Sequence, residues 1–392
     1  MQQNYNKTIA ACFVSYIIQA VVNTFAPLLF VTFQQSYGIP LSFITALITL
    51  NFLIQLCLDF ASAFFIDKIG YRASLLIAHA LAALGLILLT VLPEMPGMPP
   101  FAGILISVFF YAIGGGLIEV VVSPVVEACP NDHKDRTMSL LHSFYCWGQV
   151  GVVALSTLFF AVCGIENWRI LSLCWAVIPF LNGFYFLLVP INKLTEDGES
   201  LPIRKLLSMR LFWLFVLLML CAGASELAMS QWSSAFAEKG LGISKVMGDL
   251  AGPTIFALLM GLSRAVYGRL LNRFSLRTMM LFSGALCAAA YLIVGLVPNP
   301  AAGLVGMALC GFSVGIMWPG TFSTAAVEIK NGGTAMFALL ALAGDLGCAS
   351  GPTLAGLVAG ALGDNLRLGI LSSGVFPFVL VIALLMLGKK KA

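Results

Sequence analysis

The chain has little charge and little histidine. Only 10% of its 392 residues are Asp, Glu, Lys or Arg, three are His, and 60% are hydrophobic. So little charge excludes an ordinary soluble domain, and the long apolar runs leave no room for a separate soluble catalytic domain. The net charge of +4 requires no nucleic-acid partner, because the basic residues lie in short loops between apolar runs.

The motifs of common enzyme and metal sites are missing as well. The sequence has no CxxC pair, no His/Cys/Asp cluster at metal-ligand spacing, no glycine-rich phosphate loop and no GxSxG. Its ten cysteines lie in or beside apolar runs, and we expect them to be small buried apolar side chains. We therefore expect no enzymatic activity, no metal and no cofactor.

Twelve apolar runs are each about long enough to cross a hydrocarbon layer of ~30 Å at ~1.5 Å per residue. If both termini lie on one side, most of the 21 Lys and Arg residues fall on that side, which the positive-inside rule assigns to the cytoplasm. We predict a multi-pass protein of the inner (plasma) membrane, surrounded by lipid. The predicted spans are 9–34, 41–66, 73–92, 101–128, 137–163, 169–190, 211–236, 248–271, 277–297, 301–327, 334–362 and 367–387.

The two halves of the chain resemble each other. The longest polar stretch, 191–210, divides the spans six and six, so we predict bundles over 1–190 and 211–392 with a cytoplasmic linker between them. The sequence DKIGYR after span 2 recurs as NRFSLR after span 8, and SPVVEA of span 4 recurs as STAAVEI of span 10. Six-helix repeats in the same orientation are typical of transporters that bind solute near the membrane midplane.

The loop after span 2 resembles a motif of the major facilitator superfamily. That motif is a glycine followed by Asp-Arg/Lys-x-Gly-Arg/Lys, and FFIDKIGYR keeps Asp67, Lys68, Gly70 and Arg72, with Ala63 in place of the first glycine. The resemblance covers the whole chain. It implies an all-α membrane protein of twelve transmembrane helices in two pseudo-symmetric bundles, which works as an alternating-access secondary transporter. We expect a monomer.

Charged residues at the predicted cytoplasmic helix ends are candidates for a gate. Charge-assisted bonds between them can hold that side of a transporter closed. The alternative is that they only determine topology. The gating candidates are Asp67, Lys68, Arg72 and Glu127 in the first half, and Arg273, Arg277 and Glu328 in the second.

Ionisable residues deep inside predicted spans usually carry function, because an unpaired charge in hydrocarbon is costly. We predict Glu119 as the proton carrier, since it follows three glycines that permit close approach of a helix or ligand. Asp345 lies among glycines and precedes a Gly-Pro pair; backbone carbonyls freed by such breaks could help it hold Na⁺, although we favour H⁺. Glu226 is a third ion-coupling candidate. For each carboxylate the alternative is a structural hydrogen bond between helices.

Asp59 and Arg264 hold equivalent positions in the two repeats, and Asp59 is a further ion-coupling candidate. The superfamily arrangement implies that Arg264 meets span 5 near His142. Arg264 could bind an anionic solute there or pair with a carboxylate. His142 titrates near neutral pH and could relay protons, or it could be a satisfied interface side chain.

Amides and aromatic rings recur on the spans that line superfamily cavities. Amides offer paired donors and acceptors, and aromatic faces pack against the C–H side of a sugar ring. We therefore predict a neutral polar solute, a sugar or polyol, while each residue taken alone could be ordinary helix packing. The candidates are Asn23, Gln55, Tyr145, Trp147, Gln149, Gln231, Trp232 and Trp318, together with Arg264.

A narrower resemblance favours sugar transport. The span 4 sequence FYAIGGGLIEVVVSPVVEACP, with HSFYCWGQVG in span 5 and CAGASELAMSQW in span 7, is similar to the fucose–galactose–hexose-uronide proton symporters. That family also uses an acid in helix 1, whereas span 1 offers only Gln19 and Asn23. We predict symport of a sugar with H⁺ or Na⁺. A drug or hydrophobic-compound transporter, an organic-anion transporter and a non-transporting membrane sensor remain alternatives.

Overall fold

A computed structural model describes residues 5–130, 134–192, 201–270, 274–330 and 332–388. The side chains of 62–65, 67–68, 134–136, 138–139, 265, 268–270, 333–335 and 388 lie outside the description. Within the described part the secondary structure is helical, and twelve segments are long and apolar enough to span a membrane. The twelve predicted spans and the all-α fold class are thereby confirmed.

The first six spanning helices follow one another with short connections. Asn23 and Thr24 end the first part of α1, and a 3-10 turn over Ala26–Leu29 leads into its second part. Pro27 within that turn cannot donate a backbone N–H, which suits a change of helix type. The helices are α1 (Tyr5–Thr24 and Phe30–Tyr37), α2 (Leu41–Ile69), α3 (Tyr71–Val91), α4 (Pro100–Ala128), α5 (Lys134–Cys163) and α6 (Trp168–Leu188).

The second six follow a short helix, Ile203–Ser208. Two π-helical turns, Phe236–Gly240 and Leu250–Thr254, end α7 and interrupt α8. The helices are α7 (Arg210–Ala235), α8 (Lys245–Asp249 and Ile255–Leu270), α9 (Leu276–Leu296), α10 (Pro300–Val314 and Met317–Glu328), α11 (Gly333–Ala361) and α12 (Leu366–Ser373 and Val375–Gly388).

The chain forms two compact units. The first comprises Met1–Phe43 and Leu50–Glu196, and the second comprises Ile44–Thr49 and Asp197–Ala392. In the second unit, small residues bring α7 and α11 close together. A methyl group at Gly223 would overlap the carbonyl of Gly344, and one at Gly351 would overlap the carbonyl of Ala224. This close approach uses glycine as membrane helix pairs commonly do.

The cysteine prediction is partly wrong. All ten cysteines are free thiols and seven of them are buried, but Cys57, Cys163 and Cys174 are exposed. These three lie on outer faces of α2, α5 and α6, where an apolar thiol is tolerated because the surface of a spanning helix is itself apolar.

Arginines join α3 to α6 and α9 to α12 at both ends. Arg72 at the start of α3 donates to backbone carbonyls at the end of α6, and Arg169 at the start of α6 forms a salt bridge with Glu94 just after α3. In the second unit, Arg277 at the start of α9 donates to a carbonyl in α12, and Arg367 at the start of α12 donates to carbonyls at the end of α9. Helix ends have unpaired carbonyls that favour such cations.

Candidate functional site

Three consecutive glycines let α4 approach three neighbours within one turn. A methyl group at Gly114 would meet the backbone of α3, one at Gly115 would lie 2.8 Å from Gln19 Oε1 of α1, and one at Gly116 would lie 3.0 Å from the Cα of Gln55 in α2. Glu119 follows Gly115 by four positions, one turn further along the same helix. The carboxylate therefore lies where α1 and α2 come closest to α4.

The half-buried Glu119 joins a chain of side-chain hydrogen bonds among buried amides. Gln19 Nε2 donates to Glu119 Oε2 at 2.8 Å and also to Gln55 Oε1 at 2.9 Å. Gln55 Nε2 in turn donates to Asn23 Oδ1 at 2.9 Å. The predicted proton carrier is thus connected to two of the predicted solute-binding amides through Gln19, which sequence reasoning had noted only as a polar residue of helix 1.

The chain continues from Asn23 to α2 and α5. Asn51 Nδ2 donates to Asn23 Oδ1 at 3.2 Å, while Asn23 Nδ2 donates to the Tyr145 hydroxyl at 3.3 Å. Gln149 Nε2 donates to the same hydroxyl at 3.3 Å. The structure therefore brings together five predicted site residues, namely Glu119, Asn23, Gln55, Tyr145 and Gln149. We call these five with Gln19 and Asn51 the amide network.

Two members of the amide network were missed as site residues. Asn51 and Gln19 are respectively 6% and 3% exposed, so both are buried among apolar helices. The signal was spacing: Asn51 and Gln55 are four apart, as are Gln19 and Asn23, and residues four apart share a helix face. Two polar residues on one face of an apolar span therefore indicated a shared polar partner.

Three amide oxygens of the network accept no hydrogen bond from any described residue. They are Gln19 Oε1, Asn51 Oδ1 and Gln149 Oε1. Gln19 Oε1 faces Gly115, where an added methyl group would lie 2.8 Å from it. A buried amide oxygen without a donor is costly, so Asn51 and Gln149 are suited to receive a donor from a bound solute or from water.

Other predicted residues of the first unit lie beside the network. The Tyr16 ring meets the His142 ring edge-on at 5.2 Å, and the Tyr16 hydroxyl bonds Ser123, one turn beyond Glu119. Asp59 follows Gln55 by one turn of α2 and is half-buried. Trp147 is 48% exposed. Because it lies two residues from Tyr145, it occupies another face of α5 and does not join the network.

In the second unit, Arg264 has an acidic neighbour. Glu226 of α7 is buried, and the Arg264 guanidinium of α8 lies within electrostatic range of its carboxylate. The structure thus gives Arg264 a carboxylate neighbour, which was one of the two roles considered from its sequence position. No salt bridge or hydrogen bond joins these two described residues, and Arg264 Nε is buried without a described hydrogen-bond partner, so both roles of Arg264 remain predictions.

The expected break of α11 near Asp345 is wrong. The helix runs uninterrupted from Gly333 to Ala361 with Pro352 inside it. A methyl group at Gly344 would overlap the Trp318 ring, and one at Gly347 would overlap the backbone of α7. These glycines serve close packing, and the Trp232 indole donates to the Pro352 carbonyl at 2.9 Å. Asp345 is half-buried and Gln231 is buried; no group of three His, Cys, Asp or Glu among the described residues could hold a metal.

The predicted gating residues are only partly described. Asp67 and Lys68 have undescribed side chains, and Arg273 lies outside the described residues altogether. Arg72 and Arg277 bind main-chain carbonyls within their own units. Glu127 is exposed and Glu328 is half-buried. The gating role remains a prediction.

Comparison with known proteins decides the family. The sequence profile of the Major Facilitator Superfamily matches residues 9–352. The chain belongs to this superfamily. It is therefore a transporter and not an enzyme, and as a multi-pass protein with bacterial relatives it resides in the inner membrane.

Two individual proteins are distantly similar to it. An uncharacterised MFS-type transporter of Yersinia pestis is 26% identical over 74% of this chain and 73% of its own length. The membrane protein MosC of Rhizobium meliloti is 24% identical over 66% of this chain, which matches only 62% of MosC.

Solved superfamily structures share the fold over nearly the whole chain. A D-xylose-proton symporter gives a TM-score of 0.79 at 12% identity, covering 98% of this chain and 97% of that one. A bacterial homologue of the human lysosomal transporter Spinster gives 0.77 at 13% identity, with coverages of 98% and 97%. The E. coli fucose:proton symporter gives 0.66 at 18% identity, with coverages of 98% and 99%.

Proposed function

We propose that this superfamily member is a symporter of a sugar or related small polar solute, driven by H⁺ rather than Na⁺. The observation that carries the proposal is the amide network, in which the Glu119 carboxylate accepts a hydrogen bond from Gln19 at 2.8 Å inside an apolar bundle. An apolar environment disfavours the charged form of a carboxylate, so such a group can bind and release a proton during transport. Amides linked to it can bind a hydroxylated solute.

The composition of the network favours a neutral polyhydroxylated solute over the alternatives. It offers amide oxygens and a tyrosine hydroxyl, and none of its members is a cation. An exporter of hydrophobic compounds would need an apolar site instead, and an organic-anion carrier would need uncompensated cations. Arg264 is a single cation within electrostatic range of the Glu226 carboxylate, which weakens its attraction for an anion.

The similar solved structures also support symport of a sugar with protons. Two of them are described as proton symporters, one of fucose and one of D-xylose. The span 4 resemblance to the fucose–galactose–hexose-uronide group agrees with this, although α1 offers only Gln19 and Asn23 and not the acid that the group carries in helix 1. The proposed unit of transport is a monomer with both termini in the cytoplasm.

Uptake into proteoliposomes tests the proposal. Radiolabelled fucose, xylose and a panel of other sugars are offered under an imposed pH gradient and then under a Na⁺ gradient. We expect accumulation driven by the pH gradient, reduced to equilibration in Glu119→Gln, because the amide keeps the bond to Gln19 but cannot carry a proton. Glu226→Gln, a matched change of a buried carboxylate in the other unit, should retain proton-driven accumulation.

Other outcomes redirect the proposal in defined ways. Accumulation under the Na⁺ gradient alone would contradict proton coupling and make Asp345 the ion-binding candidate. No sugar accumulation under either gradient would reject the sugar and turn the search toward hydrophobic compounds and organic anions. A protein that shifts conformation on binding sugar but moves none would indicate a sensor.

A further inference from the structure

The amides of the network have defined orientations, because each one must match donors with acceptors on its neighbours. A side-chain amide has one carbonyl acceptor and one NH₂ donor of nearly the same size, so its orientation follows from its partners. An ionised carboxylate only accepts, and Glu119 therefore fixes the NH₂ of Gln19 toward itself. Gln55 must then accept from Gln19 and donate to Asn23. The amides of Gln19, Gln55, Asn23 and Asn51 are thereby oriented by the charge at one end of the chain.

We propose that protonation of Glu119 reverses the direction of this chain and thereby changes the hydrogen-bonding group that Asn51 offers to the solute. The inference rests on the proposed role of Glu119 as the proton-binding group, and it assigns Gln19 as the positioning residue that transmits its state. No atom other than the Glu119 proton is gained or lost, and no covalent bond changes elsewhere in the network.

The reversal proceeds amide by amide. A protonated Glu119 has an O–H donor, so Gln19 turns its carbonyl oxygen toward it. That oxygen now occupies the site from which Gln19 donated to Gln55, so Gln55 turns its NH₂ toward Gln19 and its oxygen toward Asn23. Asn23 answers by turning its NH₂ toward Gln55 and Asn51. Each step exchanges oxygen and nitrogen without changing the shape of the side chain.

At Asn51, the far end of the chain, reversal exchanges the free acceptor for a free donor. With Glu119 ionised, the unpartnered atom of Asn51 is the acceptor Oδ1. After reversal, Oδ1 accepts from Asn23 and the Asn51 NH₂ is left to donate. The Tyr145 hydroxyl, which accepts from Asn23 at 3.3 Å, turns to donate to it. Because a buried polar atom without a partner is costly, the protonated form favours a solute oxygen that accepts at Asn51.

Such a change links proton binding to solute binding. A ligand shifts an equilibrium only by its difference in affinity for the two states. A sugar ring or hydroxyl oxygen that accepts from Asn51 binds better when Glu119 is protonated, and by reciprocity the bound sugar favours protonation. The coupling therefore needs a single carboxylate, with Gln19 of α1 transmitting its state.

Other titratable groups near the network are placed to influence it from several helices. Tyr16 and Tyr145 come from α1 and α5, Asp59 lies one turn from Gln55, and His142 contacts the Tyr16 ring. His79 of α3 bonds Ser15, one turn before Gln19. None of these groups lies between Glu119 and Asn51 along the hydrogen-bonded chain. Variants Asp59→Asn and His142→Gln separate their contributions from that of Glu119.

Infrared difference spectroscopy on the purified full-length protein, without any sugar, tests the reversal. Glutamine side-chain amides are isotope-labelled, and the pH is titrated. We expect the carboxylic-acid band of Glu119, identified by its loss in Glu119→Gln, to appear together with a shift of the labelled glutamine carbonyl bands at the same pH midpoint. In Gln19→Leu the acid band should persist while the accompanying shift of the remaining glutamines is lost.

The controls keep the outcomes separate. Gln35→Leu removes an exposed glutamine outside the network and should leave the coupled shift of the network glutamines unchanged, and circular dichroism checks that each variant is folded. Glutamine bands that do not follow Glu119 in the wild type, or that still follow it in Gln19→Leu, would overturn the reversal. Because no sugar is present, this result stands apart from failed sugar accumulation, which concerns the proposed function alone.

Discussion

Arg72 and Arg277 occupy equivalent places in the two repeats, and both guanidinium groups bind backbone carbonyls of the last helix in their own unit. Arg72 Nη2 donates to Val189 O at 2.8 Å beyond the end of α6, and Arg277 Nη2 donates to Leu384 O at 3.2 Å in α12. Carbonyls at a helix end have no partner in the helix, and the end carries a partial negative charge. Both arginines therefore stabilise their units, whatever part they take in gating.

Removing Arg72 should destabilise the first unit. Arg72→Ala leaves three carbonyls at the end of α6 without their charged donor, and we expect a loss of about 2 kcal/mol. Arg72→Lys should recover only part of this, because an ammonium group cannot reproduce the forked geometry of a guanidinium. Thermal unfolding in detergent measures both. Arg204→Ala, a change at an exposed arginine, is the control; equal melting temperatures for Arg72→Ala and wild type would leave only the gating interpretation.

Gly115→Ala should disturb the amide network directly. Its methyl group would lie 2.8 Å from Gln19 Oε1 and from a Val22 methyl, so the Gln19 and Val22 side chains must shift or α1 must move away from α4. We expect a loss of about 1–3 kcal/mol in unfolding free energy together with loss of proton-driven uptake. The matched variant is Gly151→Ala in α5, where an added Cβ meets nothing within 4 Å. That change should be neutral or stabilise slightly, and similar effects of the two would argue against close packing at Gly115.

Asn51→Leu should weaken solute binding while leaving Glu119 able to bind its proton. The leucine removes the donor to Asn23 at 3.2 Å and the unpartnered oxygen. Losing one hydrogen bond to a solute corresponds to about a tenfold loss of affinity. Equilibrium binding of whichever sugar accumulates measures this, with infrared detection of the Glu119 acid band as the internal control. Unchanged affinity would place the solute away from Asn51.

Glu226 and Arg264 should behave as a coupled pair. Arg264→Met alone leaves the buried Glu226 carboxylate without the cation in its electrostatic range, and we expect a loss of about 1–2 kcal/mol. Adding Glu226→Gln removes the uncompensated charge and should restore most of the stability. A double-mutant cycle from thermal unfolding gives the coupling energy. If Arg264 instead binds an anionic solute, the double variant will be stable but unable to transport, and the single variants will show additive effects on stability.

The sequence was sufficient for the helices because each apolar run has to satisfy its backbone internally in a membrane. It also indicated Glu119, Asn23, Gln55, Tyr145 and Gln149 as site candidates, since polar groups in such runs are rare. The contact of Gln19 with Glu119 was not predicted. A helix that is apolar on every side does not show which face meets which neighbour, so the pairing depends on packing.

One prediction was wrong and another stays untested, for related reasons. The glycines around Asp345 suggested a broken helix, but the same residues also permit close helix contact, and composition alone does not distinguish the two uses. Arg72 and Arg277 suggested a gate of paired charges. Their described partners are backbone carbonyls, and these acceptors leave no mark in the sequence because every residue has one.

The glycine triplet also gives α4 an unusual mechanical position. Successive residues of an α-helix point about 100° apart, so Gly114, Gly115 and Gly116 face three directions and fit against α3, α1 and α2. A small rotation of α4 about its own axis cannot be accommodated by a shift of one neighbour alone, because α3, α1 and α2 all contact the helix within the same turn. A rotation of the helix that carries Glu119 would therefore displace three neighbouring helices at once.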